Sequence, residues 1–189
     1  MPPISSRCWR LPKLRAIALN GIGLDELSDA SEPIFSELHA SLQRLSLGGN
    51  RLLQLPSSIA GLVNLEELAV SLNRLEQLPD VFGNMRRLKR LHIAGNRLKQ
   101  LPRSIGTLQL RILDVSNNQL IGLPGELSSM PIETLNVSNN LMVSLPIWLP
   151  RLRNLRRLVA SHNLIEAFPP WLAGCKLLEH VSLASNAIV

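Results

Sequence analysis

Ser71, His92 and Asp114 are the residues of this chain whose types most readily suggest chemistry. A hydroxyl, an imidazole and a carboxylate can relay a proton once they lie within hydrogen-bond reach. Their separations of 21 and 22 residues bring them together only if the chain returns on itself with about that period. Catalysis would also need an oxyanion-stabilising site and a pocket that excludes water. The sequence offers no glycine-rich phosphate loop and no paired metal-ligand motif. The expectation is therefore no enzyme, no cofactor and no metal, with the three residues meeting by coincidence or through a shared partner.

Cations recur at a similar interval. Arg51, Arg74 and Arg97 are 23 residues apart, with Lys99 and Arg103 nearby, in a chain of formal charge +6. Such a ridge suits an acidic protein face, phosphoinositide headgroups or RNA. A nucleic-acid groove usually adds exposed aromatics or a recognisable module. Here there are three Trp, three Phe and no Tyr, so nucleic acid is the minor reading. Trp148 and Trp171, again 23 apart, could anchor an interface or pack on each other and on neighbouring loops. Cys175, in "LAGCKLL", takes the place of Leu62, Met85, Leu108, Met130 and Leu152 in earlier copies, which predicts a buried core thiol. Cys8 is many repeats away, too far for a disulfide. So few cysteines suggest a reducing compartment. No apolar run approaches the ~18 residues of a membrane-spanning helix. The first residues lack a continuous apolar segment with a cleavage site, so no signal peptide is expected.

What could position these side chains is a repeat. Asn50, Asn73, Asn96, Asn118, Asn140, Asn163 and Asn186 follow one another at intervals of 23, 23, 22, 22, 23 and 23. Each closes a segment patterned LxxLxLxxN, from "LQRLSLGGN" to "LEHVSLASN". Prolines at 56, 79, 102, 124, 146 and 169 follow, each after Leu or Phe. Two apolar residues around one polar residue make a short strand with one face buried. Stacked copies form a parallel sheet with ~4.8 Å between strands. An Asn amide inside each coil can satisfy the backbone groups of the turn that follows. Proline then fixes φ on a return segment outside the sheet, and stretches such as "PSSIAGL" supply irregular or short helical structure there.

This pattern resembles the leucine-rich repeat family, in the 23-residue LPxxIxxL form of the intracellular, Ras-group scaffolds. The resemblance implies an α/β solenoid: a curved right-handed coil with a parallel concave sheet and a convex side of loops and short helices. It runs from about Leu14 to Val189. Residues 1–41 are expected to hold a degenerate first repeat, with Ile22 where Asn belongs, and a capping helix in "SEPIFSELHASL". Residues 42–189 hold six full repeats and one truncated one. The chain's end shortly after "SNA", with no polar closing element, suggests a fragment or an end covered by something else.

Binding surfaces of solenoids usually lie on the concave sheet. The candidate partner-binding residues are Arg44, Glu67, Leu72, Arg90, His92, Asp114, Asn136, Arg157, Val159, His162 and His180, beside a floor of small residues. Alternating charges such as Arg44, Glu67 and Arg90 also suit a ladder of surface ion pairs. The resemblance implies a protein-interaction scaffold in cytoplasmic or nuclear signalling, with a small GTPase, kinase or phosphatase as partner. The alternatives are the recognition arm of a larger kinase or ubiquitin ligase, and RNA or anionic lipid held by Arg51, Arg74 and Arg97.

Overall fold

The computed structural model describes residues 13–27, 35 and 41–189. Eight three-residue strands lie in chain order in one parallel sheet: β1 Ala16–Ala18, β2 Arg44–Ser46, β3 Glu67–Ala69, β4 Arg90–His92, β5 Ile112–Asp114, β6 Thr134–Asn136, β7 Arg157–Val159 and β8 His180–Ser182. The middle residue of each strand points inward. Leu45, Leu68, Leu91, Leu113, Leu135 and Leu158 are buried and stand in register. The second apolar residue of each LxL, such as Leu47, Val70, Ile93 and Val115, is buried one step on. Alternation with period two is thus realised from β1 to β7, whereas in β8 the middle residue Val181 is 40% exposed.

Beyond the strands, coils stay bonded through backbone pairs such as Leu47 N–H to Ala69 O (2.8 Å) and Gly49 N–H to Ser71 O (2.9 Å). The chain then turns sharply. Gly49, Leu72, Gly95, Asn117, Asn139, His162 and Ser185 all have φ between 53° and 66°. This left-handed kink occurs once per coil, immediately before the repeating Asn, and directs that side chain inward.

Each buried Asn then joins two coils. Asn118 Oδ1 accepts from the Leu98 N–H of the preceding coil (3.0 Å). Its Nδ2 donates to Val115 O in its own coil and to Ile93 O in the preceding one, both at 3.0 Å. Asn50, Asn73, Asn96, Asn140 and Asn163 repeat the arrangement. An acceptor and two donor hydrogens are needed on one side chain, which explains why Asn recurs there and not Asp, which only accepts, or Ser, which has a single O–H to donate.

Past each proline the return segment forms a 3-10 turn: Ser57–Gly61, Phe82–Asn84, Arg103–Thr107, Gly125–Ser129, Leu149–Arg151 and Pro170–Gly174. Each buries one apolar side chain: Ile59, Phe82, Ile105, Leu127, Leu149 and Leu172. These are the expected short helices of the outer side. Their close stacking explains Gly106, where an added Cβ would lie 2.4 Å from Glu126 Cβ. Strand, turn and return residues form one continuous apolar core from Ile17 to Cys175. A buried leucine contributes about 1.5–3 kcal/mol, and here it is covered only because a neighbouring coil lies against it.

Most of the expected capping helix lies outside the described residues. Phe35 and Leu42, which belong to that stretch, are buried. β1 pairs with β2 despite its irregular sequence. Ile22, in place of the Asn, is partly exposed, while Asn20 Oδ1 accepts from Gly48 N–H (2.7 Å) and Ser46 Oγ (2.7 Å).

Candidate functional site

The sheet register sets the candidate residues in rows across successive coils. Arg44, Glu67, Arg90, Ile112, Thr134, Arg157 and His180 are mutual partners along one row. Ser46, Ala69, His92, Asp114, Asn136, Val159 and Ser182 form the next. Part of the first row is committed to ion pairing: Arg90 Nε lies 2.9 Å from Glu67 Oε2. Lys89 with Glu66 (3.5 Å), Arg111 with Glu133 (3.1 Å) and Arg156 with Glu179 continue the ladder one position earlier. These exposed pairs contribute at most about 1 kcal/mol each. Arg44 and Arg157 are exposed and have no ion-pair partner among the described residues. They are the cations of this face that remain available to a ligand.

The second row settles the geometry of Ser71, His92 and Asp114. Asp114 is turned to its own turn: Oδ1 accepts from Ser116 Oγ (2.7 Å) and Ser116 N–H (3.1 Å). Asn136 does the same with Ser138 at 2.8 and 3.1 Å. Ser71 Oγ accepts from the Ala94 N–H (3.1 Å). The three residues are therefore neighbours without forming a relay. Asp114 and Asn136 hold the backbone after β5 and β6 while one face of each stays open to solvent, and His92 is half-buried beside them.

Leu72 and His162 occupy the left-handed position of their coils, at φ 57° and 56°. Leu72 is 68% exposed. A β-carbon there costs roughly 1–2 kcal/mol, and most coils use Gly or Asn instead. The next coil accommodates the leucine: a Cβ on Gly95 would sit 2.7 Å from Leu72 Cδ2. An exposed apolar side chain held in a strained turn is a reasonable contact residue.

On the flank beyond the asparagines, Arg51, Arg74 and Arg97 are exposed and aligned by backbone bonds of each to the preceding coil. Arg51 lies 3.9 Å from Asp25; Arg74 and Arg97 have no ion pair among the described residues. Trp148 and Trp171 are half-buried against the core, so each ring presents only part of its surface. Sequence reading overlooked a set of exposed apolar side chains on the same flank, Leu53, Ile121 and Val143. The signal was present three residues after each Asn, where Glu76 and Lys99 give way to Ile121 and Val143.

Cys175 is buried as expected, and burial pushes its thiol pKa up. Cys8 lies outside the described residues. Among the described residues no helix is long and apolar enough to cross a membrane.

Residues 40–98 and 64–120 match a family model described as Leucine rich repeat. No curated protein matches the chain significantly by sequence. Among solved structures, the chain is similar to an LRR protein of Leptospira interrogans at TM-score 0.89 and 28% identity, over 97% of this chain and 46% of that one. It is also similar to an internalin of Listeria monocytogenes at TM-score 0.81 and 20% identity, over 96% of this chain and 51% of that one. The functional domain of InlJ from Listeria monocytogenes, which includes a cysteine ladder, aligns at TM-score 0.76 and 19% identity over 94% and 36%. The two Listeria likenesses concern the fold alone. The chain spans about half or less of the length of each of these structures.

Proposed function

Because the chain belongs to the leucine-rich repeat family, we propose that it is a protein–protein interaction module that grips a partner protein with its concave sheet. The observation that carries this reading is the unbroken register of eight strands, which holds Arg44, His92, Arg157 and His180 on one surface. Such a surface exists before the partner arrives, so little ordering entropy is lost on binding. Gly48, Ser71, Ala94, Ser116 and Ser138 make a low floor beside it, letting partner side chains approach the backbone. Arg44 and Arg157 supply anchors of the kind that dominate interface energetics, and the exposed Leu72 adds apolar contact area.

The partner class we favour is a signalling protein, a small GTPase, kinase or phosphatase, inside the cell. The Ras-group-like LPxxIxxL spacing and the use of only two cysteines support that choice. Residues 1–41 are assigned to an N-terminal capping segment and 42–189 to the binding repeats. The test is affinity capture from lysate with the native chain and with an Arg44→Glu, His92→Ala, Arg157→Glu variant. Loss of specific partners with the variant is expected; an unchanged set overturns the concave assignment.

A second reading rests on the chain's spanning 36–51% of the similar structures: it is the recognition arm of a larger kinase or ubiquitin ligase. Endogenous protein on a blot would then run well above the 20.9 kDa of this chain, and a band at that mass would refute it.

A further inference from the structure

The flank beyond the asparagine ladder is divided along its length. In the coils of Asn50, Asn73 and Asn96 its exposed positions are Arg51, Leu53, Arg74, Glu76, Arg97 and Lys99, all charged but Leu53. In the coils of Asn118, Asn140 and Asn163 the equivalents are Gln119, Ile121, Leu141, Val143, Leu164 and Glu166. Ile121 is 73% exposed and Val143 54%, with Leu141 and Leu164 exposed between and beyond them. The fold does not require apolar side chains there, because charged residues occupy the same positions two coils earlier. Contiguous exposed apolar side chains on successive coils mark an interaction surface. The cations beside them are also free: Arg74, Arg97 and Lys99 have no ion pair among the described residues.

A recess adjoins this strip. Its walls are the Leu-Pro steps Leu78-Pro79, Leu101-Pro102 and Leu123-Pro124, its volume is about 770 Å³, and Lys99 and Ile121 stand at its border. Of the acids nearby, Asp80 accepts from the Ser104 N–H (3.2 Å) and Glu126 lies 3.6 Å from Arg103. Glu76 and Glu166 are the exposed carboxylates left on the flank.

We propose that this flank docks an extended segment of a partner protein in which acidic residues precede or follow apolar ones. The segment's carboxylates lie on Arg74, Arg97 and Lys99, and its apolar side chains on Ile121, Leu141, Val143 and Leu164. Four inter-coil steps of ~4.8 Å separate Arg74 from Leu164, about 19 Å, which six extended residues at ~3.3 Å each can span. The change from cations at Arg74, Arg97 and Lys99 to apolar side chains at Ile121, Leu141, Val143 and Leu164 argues for a linear ligand. A membrane-binding face places cations around its apolar residues throughout, whereas here Glu76 and Glu166 flank the strip and would repel anionic headgroups. An RNA site would continue the single-sign stripe, which stops at Gln119. This surface is separate from the concave sheet, so its failure leaves that assignment standing.

The experiment is selection from a random dodecapeptide display library on the full chain, followed by affinity measurement of the enriched peptides. Two surface variants are compared, Arg74→Glu with Arg97→Glu, and Ile121→Ser with Val143→Ser, each checked for an unchanged thermal transition. The enriched peptides are expected to carry an acidic block beside an apolar block, and to bind each variant at least tenfold more weakly. For the native chain, affinity should fall with NaCl. Charge reversal should weaken or invert that dependence, since salt then screens a repulsion, and the serine variant should retain it. Enrichment without the acidic–apolar order, or binding to either variant as tight as to the native chain, overturns the proposal. Parallel arms use phosphatidylserine vesicles and polyuridylate RNA. Capture of either through Arg74 and Arg97, with no peptide enriched, overturns it in favour of that ligand.

Discussion

Replacing Asn118 by Ala removes one amide shared by two coils, and the structure allows the cost to be worked out. The Leu98 N–H loses its acceptor at 3.0 Å and, being buried between coils, gains no water. An orphaned buried donor costs about 1–3 kcal/mol. The two main carbonyl acceptors fare better: Ile93 O keeps the Asn96 amide and Val115 O keeps the Asn140 amide, both at 3.0 Å. Each loses one of two donors, about 0.5–1.5 kcal/mol. The sum is about 2–6 kcal/mol, a large share of the stability of a domain this size. Urea unfolding followed by circular dichroism measures the total, and amide exchange at Leu98 locates it. Exchange at Leu98 should accelerate selectively, while that at Leu52, bonded to Asn73 (3.0 Å), keeps more of its protection. A loss below about 1 kcal/mol would show that the asparagine ladder does not hold the coils together.

Other perturbations probe different parts of the same coil. Gly106→Ala drives a Cβ against Glu126, whose backbone O would be 3.0 Å away, and should cost about 1–3 kcal/mol by overpacking in the same urea assay. Leu72→Asn should leave stability within about 1 kcal/mol, because relief of the left-handed strain offsets the lost contact over Gly95. Partner capture should nevertheless fall if Leu72 is a contact. Cys175, its thiol pKa raised by burial, should alkylate with iodoacetamide at pH 8 far more slowly in the native protein than in urea, as read by mass spectrometry of its peptide. The neutral thiol is favoured in the folded state, so its contribution to stability is present below the unfolded thiol pKa and declines as pH rises through the raised one.

The architecture could be read from period alone, because one coil cannot bury its leucines and every copy must repeat the solution. Asn recurs since no other side chain both donates and accepts in the required directions. The inward column of Leu45, Leu68 and Leu91 and the burial of Cys175 followed from the same alignment. Side-chain choices within a row were less legible. Asp114 had His92 beside it in the next strand, but a serine two residues ahead offers a hydroxyl and an N–H together, and the local partner wins. Leu72 in a left-handed turn could not be foreseen, since that conformation disfavours leucine and depends on Gly95 one coil away. Ile121 and Val143 escaped notice because they resemble core residues by type; only their phase relative to the asparagines shows that they face outward.

The most direct test of concave-face binding is site-specific photocrosslinking to a captured partner. A benzophenone amino acid is placed in turn at His92 and Val159 on the sheet and at Val81 and Trp148 on the outer side. Partner adducts should form at His92 and Val159 and be absent at Val81 and Trp148. Adducts confined to the outer positions would contradict the account.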